Sequence, residues 1–385
     1  MINITILQED LEKAINIVYH FVANRPQLPI LSNILLSVEK GRIKLCATNL
    51  ESGINYWLGA KVTGEGKTTL PAKTLLDVIM SLTAGKIDLR EENGIVNLTS
   101  GTTQVSIPTT PANEFPNVEY LPAQAGKTIT KAPFFTPEIF TTIAKQVGFC
   151  ASSDTEVKPE YTGVLLTPGK EGFDAVATDG VRLSKKTFKS SLPFPSKILL
   201  PAKIVTEVPR TFANQSVFVG IEENQVLFAT SDVILASRTL DAEKFPDYGR
   251  IIPKSKSLQV NIDREEFSKA VHLSSIFAKD YAVKLTFNKN GCTVSSENAA
   301  AGGQKTTVAA KVEGSMPAPS EHSESNGSVS FNWRFINDFL GSVNGDEVEI
   351  NLTNPTSPGV FLDPKDKDYL HLIMPIRTLT AEARE

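Results

Sequence analysis

The feature that most constrains this chain of 385 residues is an internal repeat with a period of about 130 residues. The sequence Leu-Pro-Ala-Lys occurs at 70–73 and again at 200–203, a spacing of 130. Since each copy is long enough to bury a core of its own, the repeat predicts domains of one design joined in tandem. Three further pairs keep this spacing to within one residue: 47–49 with 177–179, 91–93 with 222–224, and 115–116 with 245–246.

A third copy is weaker but visible in the last part of the chain. Residues 265–271 resemble residues 9–15 at a spacing of 256, which is twice 128. Stretches containing Pro and Gly lie between the copies, and such stretches are typical of exposed linkers. The sequence therefore predicts three domains, at residues 1–125, 126–257 and 258–385.

Each copy combines two helical patterns with strand patterns. Pro209 is expected to shorten or kink the second helix of the second copy, because proline lacks the backbone N–H that a helix needs. Elsewhere apolar residues alternate, as over residues 34–38, and Asn93-Gly94 is a hairpin signal. These patterns predict an α+β fold, with two helices packed on a mainly antiparallel sheet in each domain. The helical patterns that open the copies lie at 11–18, 139–147 and 267–271.

The charge and hydropathy of the chain restrict its partners. It has 39 Lys and Arg residues against 43 Asp and Glu, a formal net charge of −4. Any contact with nucleic acid must therefore use a local basic face. No apolar run approaches the roughly 18 residues that a membrane helix needs, and the chain does not open with a secretory signal pattern. We expect a cytoplasmic protein that does not contact membranes.

The cysteines and histidines give no sign of a metal site. Cys46, Cys150 and Cys292 are far apart in the sequence, which excludes a disulfide framework and a Cys-rich zinc site, and we interpret all three as core residues. None of the four histidines has the spacing of a metal-ligand pair. We expect no metal and no cofactor.

Two motifs match ligand sites only in part. Residues 64–68 resemble the end of a phosphate-binding loop, but Lys61 stands where the pattern needs glycine. Residues 363–368 have the acidic density of a calcium loop but lack its central glycine and terminal glutamate. The first motif predicts a turn between strands and the second a charged hairpin tip.

One polar cluster, residues 178–182, is compatible with catalysis. In Thr-Asp-Gly-Val-Arg, Asp179 could serve as a general base and Arg182 as an anion clamp. The alternative is a tight turn after a strand, because Asp-Gly favours turns and Thr-Asn stands at the matching place in the first copy. Both interpretations stay open at this point.

Several segments together carry a resemblance to one family. With three similar domains, the chain resembles the bacterial DNA polymerase III beta subunits, the DNA sliding clamps, along essentially its full length. The segments are Arg-Pro-x-Leu-Pro-Ile-Leu-x-Asn at 25–33, Thr-Leu-Pro-Ala-Lys at 69–73, Ala-Thr-Asp-Gly-x-Arg-Leu at 177–183, Lys-Phe-Pro-Asp-Tyr-x-Arg-Ile-Ile-Pro at 244–253, and Met-Pro-Ile-Arg at 374–377.

The resemblance implies a fold and a function. The family forms a head-to-tail homodimeric ring of six such domains, with helices lining the hole. A ring threaded by duplex DNA tethers its partners and raises their effective concentration. The implied partners are double-stranded DNA without sequence preference, a second copy of this chain, the replicative polymerase subunit, the clamp loader, and other proteins that carry a clamp-binding peptide. The implied protein is a processivity factor without its own active site.

The resemblance also implies three sets of site residues. Basic residues become DNA-binding candidates because the family's helices line the hole. The partner-peptide set is Tyr161, Thr178, Gly180, Val181, Arg182, Leu183, Pro246, Arg250, Ile251, Leu372, Ile373, Met374, Pro375, Ile376 and Arg377. The DNA-binding set is Arg25, Lys73, Lys145, Lys203, Arg210, Lys269 and Arg334. The dimer-interface set is Val105, Ile107, Ile276 and Phe277.

Two segments depart from the family pattern. Residues 378–385 extend past the point at which the family commonly ends, beside the implied pocket. Residues 313–328 are rich in Ser, Glu and Pro, and we expect them to form a disordered loop.

Two other functions remain as alternatives to the clamp. One is a hydrolase or transferase of repeated domains, with Asp179 and Arg182 as catalytic residues. The other is a monomeric peptide-binding scaffold that never closes into a ring.

Overall fold

The computed structural model describes residues 2–23, 26–39, 41–116, 137–154, 158–192, 196–213, 215–222, 224–298, 302–316 and 327–376. The α-helices in this part of the chain are α1 (Gln8–Tyr19), α2 (Ala72–Ser81), α3 (Pro137–Gln146), α4 (Ala202–Phe212), α5 (Arg264–Phe277) and α6 (Trp333–Ser342).

The strands alternate with these helices along the chain. The first ten are β1 (Asn3–Leu7), β2 (Asn33–Glu39), β3 (Arg42–Thr48), β4 (Ser52–Gly59), β5 (Lys61–Thr63), β6 (Gly66–Pro71), β7 (Lys86–Glu92), β8 (Ile95–Ser100), β9 (Thr103–Pro108) and β10 (Thr110–Pro111). Then come β11 (Gly163–Pro168), β12 (Phe173–Thr178), β13 (Arg182–Phe188), β14 (Ile198–Pro201), β15 (Phe218–Glu222), β16 (Gln225–Ala229) and β17 (Val233–Arg238). The last are β18 (Leu258–Asp263), β19 (Ala282–Asn288), β20 (Gly291–Asn298), β21 (Gly302–Gly314), β22 (Ser328–Asn332), β23 (Glu347–Leu352), β24 (Gly359–Asp363) and β25 (Asp366–Ile373).

The chain divides into two compact units. The first unit contains Met1–Thr141 and Lys203–Thr239, and the second contains Thr142–Ala202 and Leu240–Glu385. Strands of the second repeat therefore occur in both units. The predicted domain boundaries at residues 125 and 257 remain predictions.

The first unit is built on two antiparallel sheets. One has the strand order β5-β1-β7-β8-β9, and the other has the order β10-β6-β2-β3-β4-β17-β16-β15. In the second sheet, β4 of the first repeat pairs with β17 of the second, with Ile54 opposite Leu235. Helix α1 packs against α2, β3 and β4 and buries an apolar stripe that includes Leu11 and Ile15.

The second unit is built on one sheet of twelve strands. Its order is β14-β11-β12-β13-β25-β24-β23-β18-β21-β20-β19-β22. Strand β13 pairs antiparallel with β25, which places Leu183 opposite Leu372. Helices α5 and α6 pack against each other, and their apolar sides bury Phe267 and Phe339. The predicted α+β class with antiparallel sheets is confirmed.

The turn predictions are confirmed. Asn93 and Gly94 join β7 to β8 and both have positive φ, 52° and 76°, as the two central residues of a type I′ turn require. The Gly64 segment turns between β5 and β6, and residues 364–365 form the tip between β24 and β25.

The expectation that Pro209 shortens this helix is wrong. Helix α4 runs through Pro209 to Phe212 and is not shorter than α2. Its buried face, which includes Ile204, Val205, Val208 and Phe212, packs in the core and offsets the hydrogen bond that proline cannot donate. Burial of this apolar face in the tertiary structure outweighs the free-energy cost of a proline inside a helix.

The prediction that residues 313–328 form a disordered loop is also wrong at both ends of this segment. Glu313 and Gly314 end β21, Met316 is buried, and Ser328 begins β22. The ends are ordered because backbone pairing and the burial of Met316 fix them. Residues 317–326 lie outside the described part of the chain.

All three cysteines are buried and free, as predicted. Burial raises the pKa of each thiol to about 12, so none is a thiolate at neutral pH. No described helix has the length and apolar character needed to cross a membrane. Within the same residues, no group of His, Cys, Asp or Glu side chains is arranged to bind a metal ion.

Candidate functional site

The polar cluster at residues 178–182 is a turn between β12 and β13. One carboxylate oxygen of Asp179 accepts hydrogen bonds from the backbone N–H groups of Val181 and Arg182, both at 2.9 Å. The hydroxyl of Thr178 accepts from the N–H of Gly180 at 3.0 Å and donates to the carbonyl of Arg182 at 2.6 Å. Gly180 has a φ of +90°, which favours glycine. The prediction of a turn at this place is confirmed.

The Arg182 side chain makes three hydrogen bonds and lies against two aromatic rings. Its Nε donates to Asp179 at 2.9 Å, one terminal nitrogen donates to Asp338 of α6, and the other donates to the carbonyl oxygen of Phe149 at 3.0 Å. Its guanidinium carbon lies 5.5 Å from the ring centre of Phe149 and 4.4 Å from that of Phe335. These contacts use three of the five N–H groups of the guanidinium and hold it against the turn, α6 and the Phe149 carbonyl, so Asp179 and Arg182 have structural roles here.

Exposed apolar side chains lie in this turn, at the end of β25, and at Ile251, whose neighbours Tyr248 and Ile252 pack on the cluster that contains Leu183. Val181 is 47% exposed, Ile251 40% and Met374 38%. The N–H of Met374 donates to the carbonyl of Val181 at 2.9 Å, which joins the end of β25 to the turn. Tyr161 lies against the turn, since its ring is 3.0 Å from the place that a Cβ on Gly180 would occupy. We call Tyr161, Val181, Ile251 and Met374 the apolar surface.

Three of the predicted peptide contacts are buried. Leu183 and Leu372 are 2% exposed and Ile373 is 0% exposed. Leu183 and Leu372 pack with Phe245 in one apolar cluster. Ile373 packs in a different cluster, with Phe361, because successive residues of a strand point to opposite faces of the sheet. Contact of these three residues with a partner stays a prediction.

The remaining predicted peptide residues lie in the segments after Phe245 and after β25. Pro246 follows the buried Phe245, and Arg250 is exposed and paired with Asp247 at 2.9 Å. Pro375 and Ile376 are half-buried, and the N–H of Ile376 donates to the carbonyl of Ser330 at 2.8 Å. Arg377 lies outside the described residues.

A buried polar group below the turn was not predicted. His371 on β25 is fully buried, with its Nδ1 2.7 Å from the Ser184 hydroxyl and 3.6 Å from the Cys150 sulfur. Burial, with the charge of Arg182 beside it, lowers the pKa of His371 to about 3. The imidazole is therefore neutral at physiological pH. A sequence pattern gives no signal for this group because its members are far apart in the chain.

The described members of the DNA-binding set are all exposed and all lie on helices. Lys73 is on α2, Lys145 on α3, Lys203 and Arg210 on α4, Lys269 on α5, and Arg334 on α6. Arg25 lies outside the described residues. Exposure on helices is what a basic helix face requires, and contact with DNA remains a prediction.

The dimer-interface set falls into two groups. Ile276 is 64% exposed, Phe277 is half-buried, and Val105 lines a groove of about 390 Å³ beside the end of α2. Ile107 is 1% exposed. The side chain of Ile107 is therefore buried within the subunit, and its place in a dimer interface stays a prediction.

Comparison with known proteins decides the family. Models of the DNA polymerase III beta subunit match the chain in order: the N-terminal domain at residues 2–119, the central domain at 135–247 and the C-terminal domain at 249–377. The chain belongs to the DNA polymerase III beta subunit family. The family inferred from the sequence motifs is confirmed, and with it the prediction of a DNA sliding clamp.

Relatives of this beta subunit match over nearly their whole length. The beta sliding clamp of Caulobacter vibrioides is 28% identical, with 97% of this chain and 99% of the relative covered. The beta sliding clamp of Synechococcus elongatus is 26% identical, with 96% and 98% covered. The crystal structure of the Thermotoga maritima DNA polymerase III beta subunit superimposes with a TM-score of 0.87 at 27% identity and covers 98% of this chain and 100% of that one.

The structural likeness extends to a clamp solved with a ligand. The Pseudomonas aeruginosa sliding clamp bound to griselimycin has a TM-score of 0.83 at 25% identity, with 98% of this chain and 100% of that one covered. This beta subunit therefore has the three-domain sliding-clamp fold, with mixed helices and antiparallel sheets.

Proposed function

We propose that this clamp works in the cytoplasm as a head-to-tail homodimeric ring around duplex DNA and has no catalytic activity. The ring tethers the replicative polymerase, the clamp loader and other replication and repair proteins. The observation that carries the proposal is the placement of charge: six members of the DNA-binding set are exposed on helices, although the net charge is −4. A local basic face allows phosphate contacts without sequence readout, and such contacts permit sliding.

Two strand edges support a closed ring. In the described part of the sheets, β9 pairs with β8 on one side and is unpaired on the other. Strand β21 pairs with β20 over residues 302–309, but with β18 only over residues 310–314. Unpaired strand edges can pair with another chain. Pairing of β9 with residues 302–309 of a second copy is head-to-tail, and two such contacts close a ring when the rotation is right.

Apolar side chains near these edges support the same contact. Ile276 projects from α5, which packs on β21, and Val105 lies on β9 beside the groove. A large exposed side chain on one surface and a groove on another fit a head-to-tail interface. The interface then joins the first domain of one subunit to the third domain of the other.

The apolar surface supports the binding of partner peptides. Val181, Ile251 and Met374 are exposed and Tyr161 is half-buried. The segments that carry them are held in place by the packed cluster of Leu183, Leu372 and Phe245. Met374 is flexible and adapts to varied side chains of different partners. A short linear peptide with apolar anchors is therefore the ligand that we propose here.

Topological retention on DNA is the test of the ring. Sedimentation of the chain should give a dimer. The protein, loaded on a nicked circle by a clamp loader, should stay bound through gel filtration and be released when the circle is linearised. A stable monomer that binds the peptide but ignores DNA topology would instead identify a scaffold. Catalytic turnover that Asp179→Asn abolishes, with peptide binding intact, would identify an enzyme.

A further inference from the structure

We propose that acidic side chains on the helices act as counter-charges that weaken the contacts between basic helix residues and DNA, so that the ring slides freely. The acids are Asp77, Glu207 and Glu265. This inference rests on the proposed encirclement of DNA, and it assigns to these carboxylates a role in mobility on DNA.

Each acid is paired with a member of the DNA-binding set on its own helix. Lys73 Nζ lies 2.5 Å from Asp77 on α2, and Lys269 Nζ lies 2.6 Å from Glu265 on α5. On α4, Arg210 lies 2.8 Å from Glu207, whose carboxylate is also 3.4 Å from His20. Helices from all three repeats therefore carry the same arrangement of a basic residue three or four positions from an acid.

Helix stability does not account for the pair on α2. The Lys73 and Asp77 side chains are 70% and 55% exposed, and exposed ion pairs contribute little to folding. The favourable order in a helix also places the acid before the base, whereas Lys73 precedes Asp77. In the other two pairs, Glu265 with Lys269 and Glu207 with Arg210, the acid precedes the base, so those two pairs also stabilise their helices.

Two other basic residues have neutral partners instead. Lys145 donates to the side-chain carbonyl oxygen of Asn344 at 2.6 Å, and the Arg334 guanidinium lies 4.0 Å from the ring centre of Tyr281. Their positive charge is not cancelled by these contacts. The helices therefore present two kinds of basic residue: one attracts phosphate with its full charge, and the other is already paired.

A base that is paired with a carboxylate attracts a phosphate less strongly than an unpaired base. The net charge of each pair is near zero, so the Coulomb energy that a phosphate gains beside it is small. Each contact with the DNA backbone is then weak, so the energy barrier to moving the ring from one phosphate to the next is low. A ring that encloses DNA does not need tight contacts to stay bound.

The test measures diffusion of the ring along DNA. The double variant Asp77→Asn with Glu265→Gln, loaded on long DNA with blocked ends, is followed by single-molecule fluorescence between 50 and 200 mM salt. We expect its diffusion coefficient to fall roughly three- to tenfold at the lower salt, because each ring then has four unpaired cations. The difference should shrink as the salt concentration rises, because salt screens the new contacts.

A matched control separates position from total charge. Glu243→Gln with Glu313→Gln removes the same number of charges from exposed ion pairs with Lys197 and Lys311, which lie outside the helices. We expect this control to diffuse as the parent chain does. Equal diffusion of the helix variant and the parent chain at every salt concentration would overturn the inference, as would equal slowing of the control.

Two further measurements keep the outcomes distinct. Because Asp77 borders the groove beside Val105, sedimentation must show that the helix variant is dimeric, and Glu265→Gln alone replaces it if it is not. With that single variant, we expect a smaller slowing at low salt, and no slowing would overturn the inference. If the parent chain is not retained on a closed circle, the proposed ring itself fails, whatever the variants do.

Discussion

The backbone N–H of Met374 donates to the carbonyl oxygen of Val181 at 2.9 Å, and this bond joins two segments that are far apart in the sequence. It places two exposed apolar side chains next to each other, one from the turn after β12 and one from the end of β25. The apolar surface therefore depends on the pairing of β13 with β25.

The first prediction concerns peptide binding. Met374→Ala should weaken binding of a peptide with a Gln and apolar anchors by about 1–2 kcal/mol, roughly tenfold, because it removes an apolar contact from the centre of the surface. Fluorescence anisotropy of a labelled peptide measures this. Met80→Ala is the matched control, since Met80 is exposed on α2 in the other unit. Unchanged affinity of Met374→Ala would place the peptide elsewhere.

The second prediction concerns the ion pair between Arg182 and Asp338. A double-mutant cycle with Arg182→Gln and Asp338→Asn should give a coupling energy of about 1 kcal/mol in urea unfolding, limited by water because Asp338 is 42% exposed. The cycle with Arg250→Gln and Asp247→Asn should give a value near zero, because that pair is exposed on both sides. Similar couplings in the two cycles would contradict a structural role for Arg182.

The third prediction concerns Gly180. Gly180→Ala should lower the free energy of unfolding by about 1–2 kcal/mol, because its positive φ disfavours a side chain and the new Cβ meets the Tyr161 ring. Peptide affinity should fall as well, since Tyr161 must move. Gly59→Ala is the control, because no atom lies within 4 Å of its Cβ position. A Gly180→Ala variant as stable as the parent chain would show that the turn adapts.

The fourth prediction concerns acid sensitivity. The folded pKa of His371 is lowered to about 3, so below pH 6.5 the unfolded chain binds a proton that the folded chain does not. The free energy of unfolding should therefore fall as the pH falls from 6.5 toward 3, with a contribution from His371 of about 1.4 kcal/mol per pH unit. His371→Gln should remove this contribution, whatever it does to stability at pH 7.

Tryptophan fluorescence can follow the second unit alone. With Trp57→Phe in the background, Trp333 is the remaining tryptophan, and urea titrations between pH 4 and 7 report the unit that contains His371. His272→Gln is the matched control, because His272 is exposed on α5. An equal pH slope in the parent and His371→Gln chains would contradict the assignment.

The fifth prediction concerns the dimer. Ile276→Asp should weaken the dimer by about 2–5 kcal/mol, because it buries an unpaired charge in the interface. Analytical sedimentation should then detect monomers at micromolar concentration. Ile251→Asp is the control, because Ile251 belongs to the surface proposed for peptides. This variant should remain a dimer and bind the peptide more weakly. Dissociation by Ile251→Asp, but not by Ile276→Asp, would place the interface elsewhere.

The sequence by itself determined the repeat, the helix and strand patterns and the turns. These features follow from local rules, such as the period of apolar residues and the positive φ that Asn93 and Gly94 allow. The family could also be identified from short motifs, because each motif keeps its order and spacing.

Only the tertiary structure decided which residues are available at the surface. Ile107, Leu183 and Ile373 are apolar in the sequence as Ile276 and Met374 are, yet the first three are buried and the last two are exposed. The partners of Arg182 and the neutral state of His371 likewise depend on strands and helices from distant parts of the chain. Burial and charge are set by what packs around a side chain, and local sequence does not contain that information.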